Sequence, residues 1–476
     1  MRFVLDRWRL VWAALAAMPL VAQGTAVRPT RAAERPNFVV FVLEGTGAGW
    51  TSTSVAMDDR WPEAKGSPAL TPNMQRLADT GMRFSDFYVS APRCTPARAS
   101  LLAGMSAAKL GMTYVNEGGG DKRGGRAGSE GSVQAAVQKL IPPTCSTELP
   151  ADITTVAELV RDAGYATAHF GKWHVGRQRP SAHGFDLDDG ANSNRGPGGN
   201  DTPNPEEGLA ITDRSLAFME RQTAAKRPFY VQISHYGGGS EDESLPATRQ
   251  ALAAELRGMR GKSAWQLAIL RDVDDQIGRL LRALDDKKLT DSTYVFVVFD
   301  HGASGRNANA PLQGGKGSVL EGGVRVPFLV RGPGIDGKVC SHVRASTADL
   351  LPTVADLAGI TEWPAAVEGG SLVPVLRGRG VGRVLRPLEE LVLHFPHYDL
   401  GSAPASAIYV DDYKLVRFYE DGGLKLFDLG RDPEERRDLS GSEPERVAEL
   451  SQRLDAYLKS IRAGMPRPNP AYPSRK

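Results

Sequence analysis

Cysteine is scarce in this chain: 476 residues hold 3, at positions 94, 145 and 340. At most one disulfide can form, so a disulfide framework is excluded. An excess of charge of one sign is also lacking. The 58 Lys and Arg residues nearly balance 56 Asp and Glu, leaving +2, and the basic residues are scattered. That excludes the concentrated basic footprint of a nucleic-acid binder. Beyond the first 26 residues no apolar run is long enough to cross a bilayer. Aromatic residues make up only 7%, yet 41% hydrophobic content still reads as an ordinary globular chain. The length allows two or more domains, and no internal repeat is visible.

The N-terminus carries a separate message. Arg2, Arg7 and Arg9 precede an apolar stretch over residues 10–22, followed by the small residues Gly24, Thr25 and Ala26. Basic, apolar and small segments in that order predict a secretory signal peptide over 1–26, cut between Ala22 and Ala26. A retained anchor is the alternative, but the stretch is short against the ~20 residues of a span. Export places the mature chain in the periplasm or outside the cell, away from the membrane once the leader is cut. In such a compartment Cys145 and Cys340 either pair or stay separate thiols, and the sequence leaves both open.

Unbroken apolar, β-rich runs occur at 38–43, 166–170, 228–233, 294–299 and 326–330. Such runs suit strands of a parallel sheet buried on both faces. Helical patterns lie between them at 154–163, 212–221 and 264–286, so the predicted fold is an α/β sheet with helices on both faces. Ligands of such sheets sit beyond the carboxyl ends of the strands. There the chain places Glu44, then Gly171-Lys172-Trp173-His174, then Ser234-His235, then Asp300-His301. Glycine-rich stretches at 118–131 and 190–205 read as surface loops near the rim of that site.

Residues 90–104, Ser-Ala-Pro-Arg-Cys-Thr-Pro-Ala-Arg-Ala-Ser-Leu-Leu-Ala-Gly, join an extended aromatic run over 82–89 to a short helix. Thr95 is the predicted N-cap and Pro96 the first helical residue, leaving Cys94 just before the helix. Backbone N–H groups and the helix dipole favour an anion there. Arg98, one turn further on, adds a planar fork of donors suited to an oxyanion.

Cys94-x-Pro96-x-Arg98 with its Ala-Ser-Leu-Leu-Ala-Gly tail resembles the signature of type I sulfatases. Thr71-Pro72-Asn73, Gly171-Lys172-Trp173-His174-Val175-Gly176, His183-Gly184-Phe185-Asp186 and the Gly314–Pro327 lysine loop are similar to further motifs of that family. His394-Phe395-Pro396-His397-Tyr398 and Asp412-Tyr413-Lys414-Leu415 look like the C-terminal part of bacterial members. The resemblance implies an alkaline-phosphatase-like α/β fold: a catalytic domain over 35–360, a linker over 361–384 and a smaller α+β subdomain over 385–476. It also implies that a formylglycine-generating or anaerobic maturation enzyme oxidises Cys94 to formylglycine. The hydrated aldehyde then attacks an aryl or carbohydrate sulfate ester through a covalent sulfo-enzyme.

By the same resemblance Arg98 holds the hydrate, Lys172 and Lys316 bind sulfate oxygens, and His174 serves the proton transfers. Glu44, position 94, Asp300 and His301 would hold a divalent cation, normally calcium. Two departures stand out. The family's adjacent aspartates are Glu44-Gly45 here, with Asp58-Asp59 a possible source of a replacement ligand. The His-x-Pro histidine that acts as leaving-group acid is replaced by glycine in Gly237-Gly238-Gly239, which leaves His235 or another residue to take that role. A formylglycine hydrolase of phosphonate or phosphate esters, and a weakly active or non-catalytic sulfate-binding relative, are the competing readings.

Overall fold

A computed structural model describes residues 35–46, 70–115, 138–194, 205–237, 241–254, 257, 262–305 and 308–473. The expected leader, Asp58-Asp59, Gly238 and Gly239, the whole 118–131 loop and residues 195–204 lie outside the described residues.

In chain order the elements begin with β1 (Asn37–Leu43), α1 (Pro72–Asp79), β2 (Met82–Phe84), β3 (Phe87–Tyr88), α2 (Cys94–Ala103) and β4 (Leu140–Ile141). They continue with α3 (Val156–Asp162), β5 (Ala166–Gly171), β6 (Leu187–Asp188), α4 (Glu206–Ala224), β7 (Phe229–Ser234), α5 (Pro246–Ala251) and α6 (Lys262–Asp286). Next come β8 (Thr293–Phe299), α7 (Glu321–Val324), β9 (Phe328–Arg331), β10 (Val339–Ser341), β11 (Ala345–Ser346), α8 (Leu350–Leu357) and α9 (Val373–Arg377). The chain closes with β12 (Leu391–Phe395), β13 (Ala405–Val410), β14 (Tyr413–Phe418), β15 (Leu424–Asp428), α10 (Pro444–Ser460) and β16 (Arg467–Pro468).

The described residues form an eight-stranded mixed sheet in the order β10-β2-β9-β8-β1-β7-β5-β6. The adjacent strands β8, β1, β7 and β5 run parallel, so their carboxyl ends share one edge. Every residue of these strands is buried, which is why each is dominated by apolar residues, although Thr167, His169 and Gln232 are buried among them. Two helix groups pack separately, α1, α4, α5 and α6 in one and α2, α3 and α8 in the other, and β5 touches a member of each.

The run at 326–330 differs from the expected parallel arrangement. Strand β9 is antiparallel to both β8 and β2. Apolar content reports burial and not direction, so the sequence could not show this. The reversal starts β9 at the edge where β8 ends, keeping the loop between them beside the site. The expected extended run over 82–89 is also divided: Ser85-Asp86 separates β2 from β3.

Strands β12 to β15 form an antiparallel meander. One of its faces packs Val392, Ile408, Leu415 and Leu426 against Leu450, Leu454 and Leu458 of α10. The alternate residues Leu393, Ala407, Tyr409, Val416 and Phe427 belong to the main core. The period-2 alternation of side chains thus seats one sheet in two cores. Residues 361–384, expected as a linker, carry α9 and bury Val367, Leu372, Val375 and Leu376 in the main core. Glu368 and Gly369 donate backbone N–H groups to Gly104 O at the end of α2, at 2.8 and 3.1 Å. Residues 35–476 accordingly cluster as one compact unit. Cys145 and Cys340, both half-buried, form no disulfide. Among the described residues no helix is long and apolar enough to cross a membrane.

Candidate active site

The common edge of β1, β5, β7 and β8 delivers Glu44, Lys172, His235 and the Asp300-His301 pair. Helix α2 delivers Cys94 to the same edge. It begins two residues earlier than expected. Arg93, extended at φ −150° and ψ 151°, is the N-cap, and Cys94 is the first helical residue. Thr95, inside the first turn, instead donates its hydroxyl to His174 O at 2.8 Å. Pro96 still fits, because none of the first four helical N–H groups has an intrahelical partner.

Glu44 sits among the cations. Lys172 Nζ donates to Glu44 Oε2 at 2.5 Å and Lys316 Nζ to Glu44 Oε1 at 3.2 Å. Cys94 Sγ lies 3.5 Å from Glu44 Oε1 and 3.2 Å from His301 Nε2. Arg98, fully buried, donates through Nε to Asp300 Oδ2 and through Nη1 to Lys172 O, both at 2.9 Å. Its remaining terminal nitrogen, Nη2, is buried with no hydrogen-bond partner. Lys316 reaches the cluster from a loop pinned at two points: Lys316 N donates to Ala303 O at 3.1 Å and Gly317 N to Pro92 O at 3.0 Å.

These charges set the ionisation of the site. Burial alone would raise the Cys94 thiol, as would Glu44, but Lys172, Lys316 and His301 hold it well below the usual thiol range. Burial opposes the Glu44 charge too, yet the same lysines and His301 keep that carboxyl well below the usual carboxylate range. Lys316 is raised despite its burial, because Cys94 and Glu44 favour its charged form. His301 is pushed up to about 9, with Asp300 outweighing the effect of burial. The site is built to hold negative charge at position 94.

His174 takes a left-handed backbone conformation, φ 58°, uncommon for a residue with a side chain. Its imidazole is lowered by burial and by the nearby Lys172 and Arg98, against the pull of Cys94, so it is neutral near pH 7 and able to accept a proton. Asn192 holds this turn in place. Trp173 N donates to Asn192 Oδ1 at 2.8 Å, Asn192 Nδ2 to Gly171 O at 2.9 Å and His174 N to Asn192 O at 2.9 Å. Asn192 was legible only as part of a glycine-rich loop.

His235 has different surroundings. It is buried, its Nε2 lies 3.3 Å from Thr212 Oγ1 of α4, and its ring stacks on Phe41 at 6.2 Å. Burial lowers it to about 4. Among the described residues, none of these contacts joins it to Cys94, Glu44 or Asp300.

Two further groups brace the site, and motif reading missed the role of each. Arg93 makes a two-pronged ion pair with Asp399, Nε to Oδ2 at 2.5 Å and Nη2 to Oδ1 at 2.6 Å. This ties the residue before Cys94 to the loop between β12 and β13. Behind the lysine loop, Glu321 accepts from Tyr88, Tyr409 and Lys414 at 2.8, 3.0 and 3.0 Å. Lys414 Nζ also lies 2.7 Å from Glu435 Oε1, and Lys414, Glu321 and Glu435 have fully buried side chains. Removing one charge from such a cluster strands the others, typically at 3–5 kcal/mol. Lys414→Met should therefore cost about 3–5 kcal/mol of stability, read as a lower denaturant midpoint. An unchanged midpoint would mean the cluster contributes nothing.

Taken together, an acidified thiol faces two lysines, an arginine donor and a neutral imidazole in a buried recess. That arrangement can bind a tetrahedral oxyanion against position 94 and stabilise charge as a bond to it breaks. Four ligand atoms, from Glu44, Cys94, Asp300 and His301, also lie within 4.8 Å of one another. They suit a divalent cation.

Comparisons with known proteins agree with the geometry. The Sulfatase family model matches residues 36–360, and the model described as N-sulphoglucosamine sulphohydrolase, C-terminal, matches 315–464. The chain is 30% identical over 414 residues to N-acetylgalactosamine-6-sulfatase of Sus scrofa, covering 78% of this chain and 70% of that one. It is 28% identical over 454 residues to arylsulfatase A of Homo sapiens, covering 81% and 82%. A solved sulfatase structure from Pseudoalteromonas sp. has the same fold, with a TM-score of 0.68 at 19% identity, covering 93% of this chain and 92% of that one.

Proposed function

Because this chain belongs to the sulfatase family and is a sulfate-ester hydrolase, we propose that its nucleophile is a formylglycine made from Cys94 by an oxidising maturation enzyme. The observation that carries this reading is the placement of Cys94. It opens α2 in a buried recess whose lysines pull its thiol well below the usual range. In hydrated form the aldehyde would supply one hydroxyl to displace the alcohol from sulfur and a second whose proton loss reforms the aldehyde and releases sulfate.

The rest of the work belongs to the residues around position 94. Lys172 and Lys316, now both on Glu44, would turn to the sulfate oxygens. The spare Nη2 of Arg98 would hold an oxygen at position 94. Neutral His174 would take the proton released there. A divalent cation would be held by Glu44, Asp300, His301 and that oxygen. The Asp300 Oδ1 atom, buried without a hydrogen bond, fits that use, and the ion would withdraw charge from the sulfate.

The substrate is a sulfate monoester on an aryl or carbohydrate group. The similarity to an N-acetylgalactosamine-6-sulfatase supports the carbohydrate class. The basic, apolar and small segments at the N-terminus support export before the enzyme acts. Mass spectrometry of the Cys94 peptide, from a host with a maturation enzyme, tests the nucleophile. The expected result is conversion of the thiol to the aldehyde in protein that releases sulfate from an aryl ester. Active protein carrying only unmodified Cys94 would overturn it.

A further inference from the structure

Position 45 has no side chain, and the reason lies across the cluster. A Cβ on Gly45 would stand 2.0 Å from His301 Nδ1, 2.4 Å from His301 Cε1 and 2.8 Å from Gly302 O. The His301 ring therefore fills the space that an acidic side chain at 45 would need. Position 237 repeats the pattern. A Cβ there would stand 2.3 Å from Glu44 Cγ, so the longer glutamate occupies room that only glycine leaves. Glu44 is matched to Gly237, and His301 to Gly45.

The exchange changes the donor set. His301 Nδ1 lies 2.9 Å from Gly302 O. A carbonyl only accepts, so Nδ1 carries a hydrogen and Nε2 faces inward. Nε2 lies 3.3 Å from Asp300 Oδ1 and 3.4 Å from Glu44 Oε1. Metal-ligating histidines are held in this way, one nitrogen donating to a carbonyl and the other turned to the ion. Asp300 shows the complementary feature: Oδ2 is engaged by Arg98, while buried Oδ1 has no hydrogen bond.

We propose that Glu44, Asp300 and His301 form a mixed oxygen–nitrogen site for an imidazole-binding first-row cation of the zinc class, with His301 replacing the carboxylate that Gly45 cannot carry. Calcium is a hard cation that collects six to eight oxygens, whereas imidazole nitrogen with carboxylate oxygen suits zinc. The inference rests on the reading of this centre as a sulfatase site that holds a divalent ion.

The test is competition at equal concentration. Full-length converted protein, stripped with a chelator, is equilibrated with Zn²⁺ and Ca²⁺ together, dialysed, and its metal content measured. A parallel sample carries Cys94→Ala, so that a residual thiolate cannot create the preference. Zinc retained at about one per chain in both samples is expected, with His301→Asn weakening it on the order of tenfold or more. Co²⁺ in the same site should give visible bands that change in His301→Asn. Gly45→Asp should lose the ion. Calcium retained over zinc by the wild type, no bound ion, or Co²⁺ bands indifferent to His301→Asn would overturn the proposal. The wild-type competition decides alone where a variant fails to fold. Sulfate release by the same wild-type sample separates the two readings: calcium-loaded enzyme that turns over refutes the choice of ion and leaves the sulfatase assignment standing.

Discussion

Cys94→Ala is expected to abolish sulfate release, with a loss of roughly 10⁴–10⁶-fold, as when a covalent nucleophile is removed. The fold should survive, because alanine suits the first turn of α2 and the replaced side chain is small. Binding of inorganic sulfate should persist, since Lys172, Lys316 and Arg98 remain. Arg98→Lys should also be severe for a different reason. The guanidinium reaches Asp300 Oδ2 and Lys172 O at once, both at 2.9 Å, and keeps Nη2 in reserve. One ammonium cannot span both acceptors and still present a donor. A fall of about 10²–10³-fold in kcat is expected, the usual cost of an oxyanion donor. Wild-type-like turnover by Cys94→Ala would remove position 94 from the chemistry. Near-normal kcat in Arg98→Lys would show that only its charge matters.

The strand ends were legible because strands buried on both faces are dominated by apolar residues, so the charged and imidazole side chains just past each run stand out. That logic found Glu44, Lys172, His235 and Asp300 before any geometry was known. It could not tell which of them meet. His235 stands at the end of β7 like the others, yet it is wrapped by Thr212 and Phe41, because a residue one past a strand can still turn into the helix layer. Asn192, Asp399 and Glu435 carried no signal of their own. Each acts through a partner far away in sequence, on the Lys172–His174 turn, on Arg93 and on Lys414. Spacing along the chain is silent about such pairs. Gly45 and the glycines at 237–239 looked like two losses in the sequence; of the second group only Gly237 is among the described residues. In the fold the room beside Gly45 is taken by His301 and the room beside Gly237 by Glu44.

Activated aryl sulfates should be turned over much faster than alkyl or sugar sulfates, and His235→Ala should not widen that gap. Expelling an alkoxide requires a proton in the transition state, and a positioned acid is worth about 10²–10⁴-fold. A phenolate with withdrawing groups needs little such help. Burial lowers His235 to about 4, so near pH 7 it is neutral and holds no readily transferred proton. Its hydrogen-bonding contact is with Thr212 on α4. Gly237, next but one in the chain, is filled by the Glu44 side chain and offers no acid either. A Brønsted series of aryl sulfates on the wild type should therefore show a steep dependence on leaving-group pKa. On His235→Ala the line should drop as a whole, by whatever the lost packing against Phe41 costs, with its slope unchanged. A shallow wild-type slope that steepens in His235→Ala would instead make His235 the leaving-group acid.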